Sequence, residues 1–317
     1  MFPLLLAALP ALTACDKLSG SDAVKPKTAF DAKAAMAYTQ AQLAFGPRVP
    51  GTAGATRAGD WIVAQMKLRA DTVIVQGWTH KTLDGKALPL RNVLARFNPS
   101  ATQRILYVTH WDTRPMADSD PVLGNRNTPI PGANDGAAGV GLFVAIADAL
   151  KKAKPTVGVD LLFVDGEDYG SFSGNDQDVL IGSRYFADHL PAPTYRPMFG
   201  ILWDMIADKD LNILQEGNSV QQAPEVVSRV WQRAADFGYQ KYFIPQGGQE
   251  ITDDHVPLLA KGLRVIDVID IDYGPPTALG GASPSYHHTL QDTIDKISTK
   301  SFQIVGDVAL SLVTDTY

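Results

Sequence analysis

The sequence predicts one α/β domain, built on a central twisted, mostly parallel (mixed) sheet with helices on both faces. Three observations lead there. ILYVTH (105–110), VDLLFV (159–164), FGILWD (199–204) and RVIDVI (264–269) are apolar, β-rich runs of one strand's length. They lack the polar–apolar alternation of a half-solvated strand, as strands buried on both faces do. Segments with helical spacing lie between them, and this alternation of strand and helix is the pattern of a parallel sheet. No composition break, internal repeat or low-complexity block divides residues 28–317, so they read as a single domain.

Taken in order, apolar residues at helical spacing predict a helix over 30–45, stopped by Gly46-Pro47. A second helix is expected over 56–68. DTVIVQ (71–76) and NVLARF (92–97) read as strands and ILYVTH as a central one. A long loop rich in Pro, Gly and Asn follows over 112–135. Further helices are expected over 137–152, 224–237 and 300–312.

Of the 317 residues, 45% are hydrophobic, enough for one sizeable core. The net charge of −6 and the lack of a basic run or a basic–aromatic patch exclude a nucleic-acid partner. Residues 2–14, FPLLLAALPALTA, carry no charge. The stretch is too short to span a bilayer and suits the hydrophobic region of a signal peptide. It ends in LTAC (12–15), which resembles the lipobox of bacterial lipoproteins. The expected organisation is therefore a signal peptide over 1–14, a polar tether over 15–27 and a catalytic domain over 28–317. Cys15 would be lipidated, placing a monomeric domain in the periplasm and touching the membrane only through that lipid. With one cysteine, no intrachain disulfide can form.

Candidate chemistry gathers where strands end. FVDGEDYG (163–170) puts Glu167 and Asp168 side by side after a hydrophobic run. Adjacent carboxylates repel and are costly to desolvate together. The carboxyl ends of strands are nevertheless where α/β sheets bind ligands, and there a cation makes such a doublet usable. THWD supplies His110 and Asp112, GANDGAAG supplies Asp135 at a helix start, ILWD supplies Asp204, and YHHTLQDT supplies His287 and His288. Taken singly, each has a plainer reading: His110 as a core histidine, Asp135 as an N-cap, Asp204 as an acceptor for loop backbone, the histidine pair as surface residues. Together they converge on one rim of one sheet. Imidazole nitrogen with carboxylate oxygen suits zinc.

The order His-x-Asp, Asp-Gly, acidic pair, Asp, His-Thr resembles the zinc-dependent exopeptidase-like family that contains bacterial leucyl aminopeptidases and animal-type glutaminyl-peptide cyclotransferases. The resemblance covers the whole expected catalytic domain. It implies Asp135, Asp168 and His288 as ligands of a catalytic zinc and Glu167 as general base. It implies His110 and Asp204 as holders of a second zinc in the aminopeptidases, so that one zinc is expected and two are the alternative. FGPRVPGT (45–52), DVLIGSRYF (178–186) and ITDDHVPLLAKGLRVIDVI (251–269) resemble the cyclase branch. There Asp253 matches an acidic residue bonded near the base, and Asp204 shares its proton network. Asp168 is similar to the bacterial cyclases and departs from the Glu-Glu of the animal ones. Trp203, Ile251 and His287 are the expected pocket wall, with His287 standing where cyclases have Trp.

Two chemistries fit these residues. A cyclase would convert the N-terminal Gln of a peptide or protein to pyroglutamate with release of ammonia. An aminopeptidase would use Glu167 to deprotonate a metal-bound water and cut the first peptide bond. A non-catalytic binding lipoprotein on the same fold is the third alternative, and the intact set of Glu167 and ligands argues against it.

Overall fold

The computed structural model of the chain describes residues 24–278 and 280–314. Strands β1 (Thr72–Lys81), β2 (Ala87–Phe97), β3 (Arg104–His110), β4 (Gly158–Val164), β5 (Phe199–Asp204) and β8 (Val265–Ile269) form one six-stranded sheet in the order β1-β2-β4-β3-β5-β8. β4, β3, β5 and β8 run parallel, whereas β1–β2 and β2–β4 are antiparallel. The expected mixed, mostly parallel sheet is therefore present. β6 (Ile213–Gln215) and β7 (Phe243–Gly247) pair separately.

Side-chain alternation sends each strand to two cores. Tyr107, Leu161, Phe163, Ile201, Trp203 and Val268 face the larger one. It is closed by α1 (Ala32–Leu43), α2 (Ala53–Lys67), α3 (Ala137–Lys152), α6 (Pro224–Asp236) and α8 (Thr299–Thr314). Leu106, Val108, Leu162, Val164 and Leu202 face the smaller one, covered by α4 (Ile181–Asp188) and α7 (His255–Ala260). A helix apolar all round must be buried all round. α3 meets that condition, with every residue from Ala137 to Ala147 buried.

The expected elements lie within a few residues of the observed ones, and four short elements were not expected. β6, β7, α7 and α5 (Gly217–Gln222) have three to six residues each. That is too short for periodicity to register. The end of DVLIGSRYF, for which no helix was expected, enters α4. The expected signal peptide and the first part of the expected tether lie outside the described residues. Lys27, at the end of that tether, and Thr28, at the start of the domain, are packed onto α8: their backbone N–H groups donate to the Asp307 carboxylate at 3.0 and 2.9 Å. No helix among the described residues is long and apolar enough to cross a membrane.

The register positions the site. β3 pairs His110 with Val164, and Val108 with Leu202. The last residues of β3, β4 and β5 thus end at one height. The chain after β3 crosses to β4 on one side and the chain after β5 goes on to β8 on the other, so a crevice opens between the carboxyl ends of β3 and β5.

Asp160, wholly buried on β4, accepts from Arg96 Nε (3.0 Å), Arg104 Nε (2.8 Å) and the Tyr195 hydroxyl (2.9 Å). Removing one charge of a buried pair leaves the other uncompensated. Asp160→Asn should therefore cost about 3–5 kcal/mol in chemical denaturation. An unchanged denaturation midpoint would show that this network contributes nothing to the fold.

Candidate active site

The acidic doublet reaches the rim through a sharp turn. Gly166 has φ +73°, a conformation that glycine adopts without a side-chain penalty. Hydrogen bonds from Leu180 N to Glu167 O (2.9 Å) and Ile181 N to Gly166 O (3.1 Å) close the turn. Asp112 grips its backbone from the other side: its carboxylate oxygens accept from Glu167 N (3.1 Å) and Asp168 N (3.2 Å). Asp112 is thus spent on backbone and is no ligand.

Asp135 is held in the same manner. Asp292 accepts from Asn134 N (2.8 Å) and Asp135 N (3.2 Å), and also from the Tyr273 hydroxyl (2.8 Å). Gly136 follows with φ +94°, and a β-carbon there would run into the Asp112 carbonyl oxygen, so only glycine lets the two loops approach. Burial, then the nearby Asp135 charge, pushes the Asp292 carboxyl up to about 7.

Two clusters result. In the first, His288 Nε2 lies 3.4 Å from Asp168 Oδ2 and 3.7 Å from Asp135 Oδ2. Both of these oxygens are buried and lack any hydrogen-bond partner. Two orphaned carboxylate oxygens facing one imidazole nitrogen form a donor set that a cation satisfies. A tetrahedral ion with bonds of zinc length spaces its donors at roughly 3.3 Å, close to what is seen. His287 also brings a ring nitrogen within 4.8 Å of Asp135 and His288 donor atoms. In the second cluster, His110 Nε2 lies 3.1 Å from both Asp135 Oδ1 and Asp204 Oδ1. Burial opposes charge on His110, but Asp204, Asp112 and Asp135 outweigh it and raise its pKa well above the usual imidazole value.

Glu167 is buried, with Oε2 3.6 Å from His110 Nδ1. Burial raises its carboxyl well above the ordinary range. His110 opposes the rise, while Asp168, Asp253 and Asp254 add to it. A carboxyl poised upward in this way suits proton transfer near neutrality. Asp253 is raised likewise, by burial and then by Asp204 and Asp254.

A cleft of about 450 Å³ opens over these groups. Glu167, Asp204, Asp253, Ile251, His287 and His288 line it, and Phe172 reaches it from the loop after the doublet. Burial and the adjacent His288 push the His287 imidazole down to about 4, so it presents a neutral ring. Trp203 does not belong to this wall. Its ring is buried in the larger core, edge-on to Tyr107 at 5.5 Å, because odd positions of β5 face the helices. The sequence reading also passed over Arg114, Phe172, Asp254 and Asp292. Asp254 is raised to about 7 by burial, with Ser183 and His110 opposing and Asp112 and Asp204 adding. Arg114 and Asp292 each sit within four residues of a chosen site residue, which was the only signal.

Fold and donor set define a zinc-dependent enzyme whose site lies at the carboxyl rim of the sheet. The chain matches the family model described as Peptidase family M28 over residues 92–313, and it belongs to that family. It is 38% identical to Porphyromonas gingivalis glutaminyl cyclase, covering 89% of this chain and 96% of that one, with a TM-score of 0.83. It is 35% identical to Bacteroides thetaiotaomicron glutaminyl cyclase bound to N-acetylhistamine, covering 91% and 99%, with a TM-score of 0.85. An aminopeptidase of Bacillus subtilis is 24% identical over 96% of this chain, a match spanning 61% of that protein's length.

His288→Ala and Asp168→Ala should each lose zinc, whereas Glu167→Gln, which changes no ligand, should keep it. Metal analysis of the purified variants decides. Zinc retained at wild-type stoichiometry in His288→Ala would move the site elsewhere.

Proposed function

We propose that the protein is a glutaminyl-peptide cyclotransferase, converting N-terminal Gln of peptides or proteins to pyroglutamate. The observation that carries this is the near-full-length likeness to two bacterial glutaminyl cyclases at 35% and 38% identity. Supporting it, the doublet, the ligand set and Asp253 are all in place around one cleft. Asp135, Asp168 and His288 hold the zinc, which when bound polarises the side-chain amide carbonyl of the substrate.

The chain's own groups then move protons. The α-amine attacks its own side-chain amide carbon, forming the ring C–N bond. Glu167 takes the proton that the amine sheds and delivers it to the amide nitrogen, whose C–N bond breaks to release ammonia. Asp253, within the same buried acidic group, keeps Glu167 receptive by raising the cost of its charge, and Asp204 acts in the same way on Asp253. Ile251, Phe172 and His287 form the wall that encloses the glutamine side chain and excludes water, which the peptidase reaction needs.

A second reading, a zinc aminopeptidase, rests on a specific observation: donor atoms of His110, Asp135 and Asp204 lie within 4.8 Å of one another, ready for a second ion. Incubation with Gln-initiated and Leu-initiated peptides, followed by mass, separates the two. The expected result is loss of ammonia from the former and an intact latter. Faster trimming of the Leu-initiated peptide overturns the cyclase reading. Glu167→Gln should slow cyclisation by about 10²–10⁴-fold, the usual worth of a placed general base.

We also propose a monomer anchored in the periplasm through a lipid on Cys15, supported by the uncharged run ending in LTAC. Several acyl chains hold a protein to a bilayer far more firmly than one. Cys15→Ser should therefore shift the protein from the membrane to the soluble fraction. Identical partitioning of the two forms, with no lipid found on the wild type, contradicts the anchor.

A further inference from the structure

Arg114 stands beside two of the three residues that the zinc would join, Asp168 and His288. Its Nη1 donates to Asp168 Oδ1 at 2.6 Å. Its Nε and Nη2 donate to both oxygens of Asp118 at 2.9 and 2.7 Å. Asp118 in turn lies 3.8 Å from His288 Nδ1, the ring nitrogen opposite the one that faces the zinc position. Arg114 is 4% exposed, so these contacts are made largely out of water. Each of its three nitrogens donates to one of these two carboxylates, so the guanidinium is held in place although it borders the cleft.

The consequences for the ligands are specific. Asp168 has one oxygen taken by Arg114 and the other orphaned, facing His288. Pinning Oδ1 fixes which oxygen remains for the metal and in which direction it points. His288 has an unusual backbone, with φ +54°, so its ring direction is not set by regular structure. At 3.8 Å the Asp118 carboxylate is beyond hydrogen-bond reach of Nδ1, but its negative charge on that side of the ring favours the proton there and leaves Nε2 to ligate. The planar fork of a guanidinium can hold two carboxylates at fixed angles, which an ammonium cannot.

We propose that Arg114 is a positioning residue for the metal: through Asp168 directly, and through Asp118 for His288, it presets two of the three zinc ligands. The proposal rests on the zinc site described above and not on which reaction that site runs. It also differs from a purely electrostatic role. A nearby positive charge by itself opposes zinc, so removing it would tighten binding. Loss of positioning loosens it.

The test is zinc affinity, by competition with a chelator of known strength, on wild type, Arg114→Met, Arg114→Lys and Asp118→Asn. Partners of this kind are worth about 10–100-fold in metal affinity. Arg114→Met should weaken zinc binding by about that factor. Arg114→Lys, which keeps the charge but loses the fork, should fall between it and wild type. Asp118→Asn, which leaves the Asp168 contact intact, should weaken binding by less than Arg114→Met. Unfolding of each zinc-free variant controls for general damage, and Arg114→Lys and Asp118→Asn carry the test if Arg114→Met does not fold. Zinc bound within about threefold of wild type, or more tightly, in the folded variants overturns the proposal. A wild type that binds no zinc overturns the site assignment itself, a different failure.

Discussion

Buried carboxylates crowd the carboxyl rim of the sheet, and the rest of the site is organised around making that tolerable. Asp112, Asp135, Glu167, Asp168, Asp204, Asp253, Asp254 and Asp292 are all buried there. Isolated charges of one sign cannot share such a space unless each finds a counter-charge, a donor or a proton. Each solution is visible. Asp112 and Asp292 accept backbone N–H groups and so fix the two ligand-bearing loops. Asp204 and one oxygen of Asp135 face His110, and one oxygen of Asp168 faces Arg114. Glu167 and Asp253 take the third route and shift upward toward the protonated form. Facing His288, one oxygen of Asp135 and one of Asp168 are left without a donor, and a zinc ion between them would supply the missing charge.

Function follows from how this charge is distributed. With Asp168 bonded to Arg114 and turned toward the zinc position, Glu167 is the member of the doublet that would move the proton. The same machinery serves an amide carbonyl within the substrate or a water beside it. The cleft wall, more than the charged groups, decides between the two outcomes. Phe172 is brought to the cleft by a loop whose base is pinned by Asp178, which pairs with His80 Nε2 at 2.8 Å and accepts from Leu83 N at 3.0 Å. A wall fixed to the β1–β2 hairpin can differ between relatives without disturbing the metal ligands.

Much of this was legible in the sequence because strand ends and chemistry coincide. The apolar runs ending in His110, Val164 and Asp204 gave strands of nearly the right length, and parallel register then brings their ends together. The doublet stood out because it follows an apolar run at a strand's end, and the resemblance gave its two members their separate tasks. What stayed hidden depends on three-dimensional contact. Arg114 is an ordinary loop arginine until Asp168 and Asp118 are seen on either side of its guanidinium. Asp112 has the composition of a ligand, and only its bonds to Glu167 N and Asp168 N show otherwise. Trp203, expected in the pocket wall, directly precedes Asp204. Strand alternation sends these neighbours to opposite sides, so an Asp at the rim places the Trp in the core.

The central claim is that one zinc answers the charge left over on Asp135 and Asp168. A crystal structure of the zinc-loaded protein, with anomalous scattering measured at the zinc absorption edge, tests it most directly. The account predicts a single anomalous peak in contact with Asp135, Asp168 and His288, with His110 still bonded to Asp204. Two peaks bridged by Asp135, with His110 and Asp204 as ligands of the second, would contradict it.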